Sequence, residues 1–166
     1  MNIVFLDIDG VLIPNNYHDK ENLNIDKEKL LFLKRIIVET ESKVVLISNW
    51  RFFKDEDNGT LFKRLADILS NAGISIYDFT PIIKLKMIMK DDNISFDPFT
   101  MRSGEIYKWL NEHSEVNNFV ILDDENYSYD FFGYDKNLVL TDNTVGLTKE
   151  DLKKAIDLLK SNIKRR

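Results

Sequence analysis

The chain has 166 residues, 28 of them acidic and 23 basic, for a formal charge of −5. Apolar residues make up 43% and charged residues 31%, a globular balance with enough apolar material for one domain's core, which excludes a disordered chain. The absence of cysteine and the presence of only His18 and His113 exclude a disulfide scaffold, a thiol nucleophile, and thiolate or histidine-rich metal centres. Any metal is therefore expected on oxygen ligands, which favours Mg²⁺ or Ca²⁺.

No apolar run approaches the ~18–20 residues that span a bilayer. The segment Met1–Asp7 meets a carboxylate too early for a signal peptide. The expectation is a soluble, cytoplasmic chain folded as one domain over 1–166, with no membrane partner. The mild acidic balance argues against bulk nucleic-acid binding, which draws on concentrated Lys and Arg.

In chain order, Ile3–Leu6 is a short continuous apolar run, the pattern of a strand covered on both faces. From Asp26 to about Ser42, Leu30, Leu33 and Ile37 recur at helical spacing, and Lys43–Ile47 is a second, β-branched strand. Thr60–Ala72 places Leu61, Leu65, Ile68 and Ala72 on one helix face, with Gly73 as the stop. Ile74–Tyr77 is a brief third strand. The stretch from Asp78 to Met101 is long for a connection. It alternates Ile83, Leu85, Met87 and Met89 against Lys84, Lys86, Ile88 and Lys90, so it predicts a β-hairpin flap turning over Lys90-Asp91-Asp92-Asn93, with lysines available to an anionic substrate. A helix over Ser103 to about His113 carries Ile106, Trp109 and Leu110. Strands follow at Phe119–Leu122 and Asn137–Leu140. The last helix starts at a Thr148/Asp151 capping box and buries Leu152, Ile156, Leu159 and Ile163, while Lys164-Arg165-Arg166 reads as a solvated end. Alternating strands and helices predict a three-layer α/β/α, Rossmann-like fold on a mainly parallel five-stranded sheet.

In such sheets ligands gather beyond the carboxyl ends of the strands. The first strand ends in Asp7-Ile8-Asp9-Gly10, the second in Ser48-Asn49-Trp50-Arg51, the fourth in Asp123-Asp124-Glu125. Parallel strands bring four carboxylates and a hydroxyl to one end, a crowd that calls for a cation. Carboxylates with water and room for a phosphate suit Mg²⁺.

These residues, together with Arg102 ahead of Glu105-Ile106 and Trp109-Leu110, and with Gly146-Leu147-Thr148, resemble the haloacid dehalogenase-like (HAD) phosphohydrolase superfamily. The finer pattern is similar to the small HAD domains associated with Swiss Army Knife RNA repair proteins. The resemblance implies Mg²⁺ held by Asp7, the main-chain carbonyl of Asp9 and one of Asp123 and Asp124, with Asp124 favoured as the direct ligand. Asp7 suits a carboxylate nucleophile, Asp9 a proton donor and then a base, and Gly10 a sharp turn that frees both. Ser48 offers a hydroxyl to a phosphoryl oxygen, and Arg102 neutralises charge on the transferring group. The superfamily usually has Lys where this chain has Arg102, and Lys84 is the reserve candidate. Asn49, Arg51 and Lys84 are candidate substrate contacts, although Arg51 equally suits pairing with a surface acid. Trp50 reads as packing. Asp130 is left between a supporting position near the metal and a solvated loop.

Roughly fifteen residues separate Gly10 from the first helix, too few for a folded cap domain, so the cap is minimal and the site open. Taken with these residues, the resemblance implies a Mg²⁺-dependent phosphomonoesterase working through an aspartyl-phosphate, and its RNA-repair side implies a nucleic-acid (RNA or DNA) terminal phosphate or a nucleotide as substrate. The competing readings are a catalytically silent HAD-like binding module and a phosphoacceptor signalling domain.

Overall fold

Five strands alternate with four helices around a hairpin excursion in the structure, a computed structural model that describes residues 1–14, 23–54, 59–90 and 93–161. The strands β1 (Asn2–Leu6), β2 (Ser42–Leu46), β3 (Ile76–Phe79), β6 (Asn118–Asp123) and β7 (Leu138–Leu140) form one sheet, ordered β3-β2-β1-β6-β7, with every neighbouring pair parallel. Sheet and helices together give the α/β, Rossmann-like architecture expected from the sequence. His18, the turn at Asp91-Asp92, Ile163 and the basic tail lie outside the described residues.

Each central strand is apolar on both sides because both faces are covered. Val4, Leu6, Val44, Leu46, Val120 and Leu122 point to one core. That core is closed by α1 (Lys27–Thr40), α2 (Thr60–Asn71) and α4 (Lys149–Lys160) through Leu33, Ile36, Leu65, Leu69, Leu152 and Leu159. The intervening residues Ile3, Phe5, Val45 and Ile121 face α3 (Arg102–Glu112) through Ile106, Trp109 and Leu110. The period-two alternation of a strand thus feeds two cores.

Local chemistry sets the boundaries. The Asp26 carboxylate accepts from the N–H groups of Glu28 and Lys29 to start α1. Glu41, in the left-handed region at φ 49°, ends it one residue before β2, so Ser42 belongs to the strand and not to the helix. Thr148 and Asp151 form the predicted reciprocal capping box of α4. β3 begins two residues later than its apolar run suggests: the Ile74 N–H bonds to the Leu69 carbonyl at 2.9 Å and closes the end of α2, so Ile74 packs in the core ahead of the strand. Asn137 likewise closes a 3₁₀ turn, and β7 starts at Leu138.

The hairpin is present: β4 (Met87–Lys90) pairs antiparallel with β5 (Asn93–Phe96), Met87 opposite Phe96 and Met89 opposite Ile94. Its apolar side chains stand in solvent, Met87 at 62%, Met89 at 78% and Ile94 at 65% exposure. Among the described residues, no helix is long and apolar enough to cross a membrane.

Candidate active site

The chain runs β1, β2, β3 towards one edge and returns across β1 to lay down β6 and β7 on the other side. The crevice at such a reversal is where parallel sheets take ligands, and β1 ends there. Its register with both neighbours is in step, Leu6 lying beside Leu46 and beside Leu122. The residues that follow therefore emerge together: Asp7, whose N–H bonds to the Leu122 carbonyl at 2.9 Å, then Asp123, and Ser48 after Ile47.

Asp7 is 4% exposed and Asp123 fully buried. One nitrogen, Arg102 Nη1 at the first turn of α3, donates to both, at 2.6 Å to Asp7 Oδ2 and 2.8 Å to Asp123 Oδ2. Asp123 also accepts from the Tyr129 hydroxyl at 2.7 Å and from the Glu125 N–H at 3.0 Å. Asp124 completes a triad: one carboxylate oxygen from each of Asp7, Asp123 and Asp124 lies within 4.8 Å of the others. Gly10 permits this. It sits at φ +67°, and a Cβ there would come within 2.3 Å of Asp124 Cγ.

Asp9 is half-buried and accepts from Trp50 Nε1 at 3.0 Å. Its carboxyl is pushed up from 3.8 to about 6, first by burial and then by the charge of Asp7. Burial and Asp7 also push Asp123 up to about 7, against the pull of Arg102. Burial opposes the charge on Arg102, but Asp7 and Asp123 outweigh it and hold the guanidinium charged. Three acids around one arginine leave negative charge in excess, and the oxygen-only donor set fits Mg²⁺.

The sequence matches a model of the family described as "HAD domain in Swiss Army Knife RNA repair proteins" over residues 3–152. The chain belongs to this family. No curated protein and no solved structure matches it. Family membership places this HAD domain in a superfamily of hydrolases and phosphatases.

In this HAD domain Asp7, Asp9, Gly10, Ser48, Arg102, Asp123 and Asp124 meet at one end of the sheet. Ser48 is buried, with Oγ 3.4 Å from the Trp50 N–H that it accepts. Arg102 reaches Asp7, whereas Lys84 is exposed on the segment between β3 and β4. Asn49 and Arg51 line a neighbouring pocket. Arg51 is turned into the protein, donating to the carbonyls of Ser48 and Thr80, to the Thr80 hydroxyl, and to Glu105 Oε2 at 2.8 Å. Asp130 is exposed. His113 caps α3 and stacks on Trp109, with ring centroids 3.6 Å apart.

Sequence reasoning passed over four supports. Trp50, read as packing, packs and also holds Asp9. Tyr129 braces Asp123. Glu105 holds Arg51 and the Ile83 N–H. Thr141, just beyond β7, donates to the Gly10 carbonyl at 2.8 Å. The Thr141 signal was in reach, since it follows an apolar run just as Asp7 and Asp123 do.

Proposed function

We propose that the chain is a Mg²⁺-dependent phosphomonoesterase acting through an aspartyl-phosphate on Asp7. The observation that carries this reading is the pairing of Asp7, fixed by Arg102 at the end of the central strand, with Asp9, two residues on and held by Trp50 Nε1 at 3.0 Å. Asp7 attacks phosphorus while the bond from phosphorus to the leaving oxygen breaks, and Asp9 gives that oxygen its proton. Asp9, now a carboxylate, takes a proton from water as the water attacks the aspartyl-phosphate. Inorganic phosphate leaves and Asp7 is restored. A carboxyl titrating near 6 serves both roles close to neutrality. Ser48 and Arg102 hold the phosphoryl oxygens, and Trp50 orients Asp9. Asp7, the Asp9 carbonyl and Asp124, with Asp123 in support, would hold Mg²⁺, which would supply charge neutralisation for the phosphoryl group.

The substrate class we propose is a nucleic-acid terminal phosphate or a nucleotide, supported by the RNA repair context in the family's description and by the short span available for a cap. Gly10, Asn49 and Lys84 are proposed at or around the substrate, with Arg51, whose donors are engaged within the protein, behind them as a tie. The test is turnover of a generic aryl phosphate with Mg²⁺, with EDTA, and by Asp7→Asn. Mg²⁺-supported activity lost in both other arms is the expected result. Wild-type-like turnover by a folded Asp7→Asn protein sinks the covalent mechanism.

A further inference from the structure

Next to the carboxylate cluster lies a pocket of about 240 Å³, bordered on the site side by Arg102 and Asn49. Its charged lining is already engaged within the protein, Arg51 with Glu105 and Arg102 with Asp7 and Asp123. The Thr100 hydroxyl accepts from the Lys86 N–H and donates to the Asp97 carbonyl. What faces the space is largely apolar: Phe52, Ile83, Leu85, Phe96, Met101 and the Tyr127 ring, over which the Arg102 guanidinium lies at 4.4 Å.

Three of these side chains are left in solvent by the fold, Phe52 at 43%, Leu85 at 53% and Phe96 at 43% exposure. They come from separate places, Phe52 from the turn after β2 and the other two from the hairpin and its approach. A two-stranded ribbon alone is only marginally stable. This one is tied at its base: the Asp97 N–H bonds to the Lys86 carbonyl at 2.9 Å, and the Asp97 side chain caps the 3₁₀ turn leading to α3 and Arg102. The base of the hairpin, beside Phe96, is thereby tied to the turn that leads to Arg102, the residue that touches Asp7.

We propose that this pocket is the leaving-group site, that it takes the face of a flat ring carried by the phosphate ester, and that Phe52, Leu85 and Phe96 set this specificity. The leaving-group role rests on the phosphatase reading above. A polyol in the same place would bring hydroxyls to a lining whose charged groups already have partners, and buried hydroxyls without partners count against binding. The face of a ring, whether of a nucleobase or of a plain aryl group, meets aromatic and aliphatic side chains on matching terms, and a base's polar edge stays with the solvent that reaches Phe52, Leu85 and Phe96.

The test compares benzyl phosphate, adenosine 5′-phosphate and glycerol phosphate, which share a primary alkoxide leaving oxygen, so that chemical reactivity does not mask recognition. Wild-type kcat/KM is expected to favour the ring esters by about 10- to 100-fold, the range typical of apolar pocket contacts. Phe96→Ala and, on a different element, Phe52→Ala are each expected to cut that ratio severalfold. Preference for benzyl phosphate alone identifies a plain aryl pocket, and preference for the nucleotide a base pocket. Equal kcat/KM for all three, or a ratio untouched in both variants, overturns the proposal. A second arm needs no turnover: binding of benzylphosphonate against methylphosphonate by calorimetry. Ring-selective binding that Phe96→Ala abolishes supports the pocket. Without turnover of any ester, it refutes the phosphatase reading separately. Equal binding of the two phosphonates refutes the pocket whatever the activity.

Discussion

Two buried arginines, Arg51 and Arg102, line the same pocket and show how differently this fold uses one side chain. Arg51 faces one carboxylate, Glu105, and otherwise main-chain carbonyls and a hydroxyl. Glu105 is in turn completed by the Ile83 N–H at 3.0 Å. Charge and hydrogen bonds close on themselves there, joining the turn after β2, the end of β3 and α3. Arg102 faces two carboxylates, with a third in reach of the same point. That cluster is short of positive charge, and its carboxyls rise to about 6 at Asp9 and about 7 at Asp123. The balanced arginine is a structural tie. The outnumbered one marks where a cation and a phosphoryl group belong.

The largest effect expected is on the balanced side. Arg51→Ala leaves Glu105 buried without its partner, and breaking a buried pair in this way costs about 3–5 kcal/mol. Thermal or denaturant unfolding reads it directly. A variant as stable as the parent would make Arg51 a bystander and dissolve the contrast.

Arg102→Ala is expected to act on rate, lowering kcat about 10²–10³-fold, as when a transition-state donor is removed. Its stability loss should be seen in EDTA and be largely restored by Mg²⁺, because a cation can replace the missing charge. Arg102→Lys sharpens the point. Both contacts run through the single nitrogen Nη1, so an ammonium there can serve both carboxylates, and much of the rate should survive. Loss as complete as with Ala would mean that the planar fork itself is needed.

Legibility in the sequence followed the same divide. β1, β2 and β6 were visible because strands covered on both faces read as unbroken apolar runs, and the acids closing β1 and β6 were visible as interruptions. Gathering those acids needed only parallel pairing in register. β3 was misplaced by two residues because Ile74 is just as apolar as a strand residue while its N–H closes a helix. The Arg51–Glu105 tie spans 54 positions and the Trp50–Asp9 bond 41. Neither has a local pattern, because the first depends on how α3 docks beside the turn after β2 and the second on how that turn docks at the end of β1.

Burial, with the charge imbalance added to it, also predicts how stability changes with pH in the metal-free protein. Asp9 and Asp123 both have folded-state values above the ordinary 3.8. Between 3.8 and about 7 the folded chain therefore keeps protons that the unfolded chain has released. Their contribution is present in full below the unfolded value and is lost as pH rises through about 6 for Asp9 and about 7 for Asp123. With EDTA, denaturant midpoints should fall from pH 5 to pH 8, and Mg²⁺ should recover them at pH 8. A metal-free midpoint that holds level or rises over that range would contradict an excess of buried acid.

The smallest expected effects make the finest comparison, since one hydroxyl can be removed beside each arginine. Tyr129 donates to Asp123 at 2.7 Å, and Thr80 accepts from Arg51. Each deletion removes one buried hydrogen bond to an ionised cluster, on the order of 1–2 kcal/mol. Tyr129→Phe weakens the brace on the carboxylate that shares Arg102 with Asp7, so kcat should fall while KM changes little. Thr80→Val leaves Arg51 with its carbonyl and Glu105 partners, so unfolding should report the loss and kcat should not. If both variants lose stability alone, Asp123 only packs beside the site. If both lose rate, Arg51 acts on the reaction too, and the division between a tie and a site disappears.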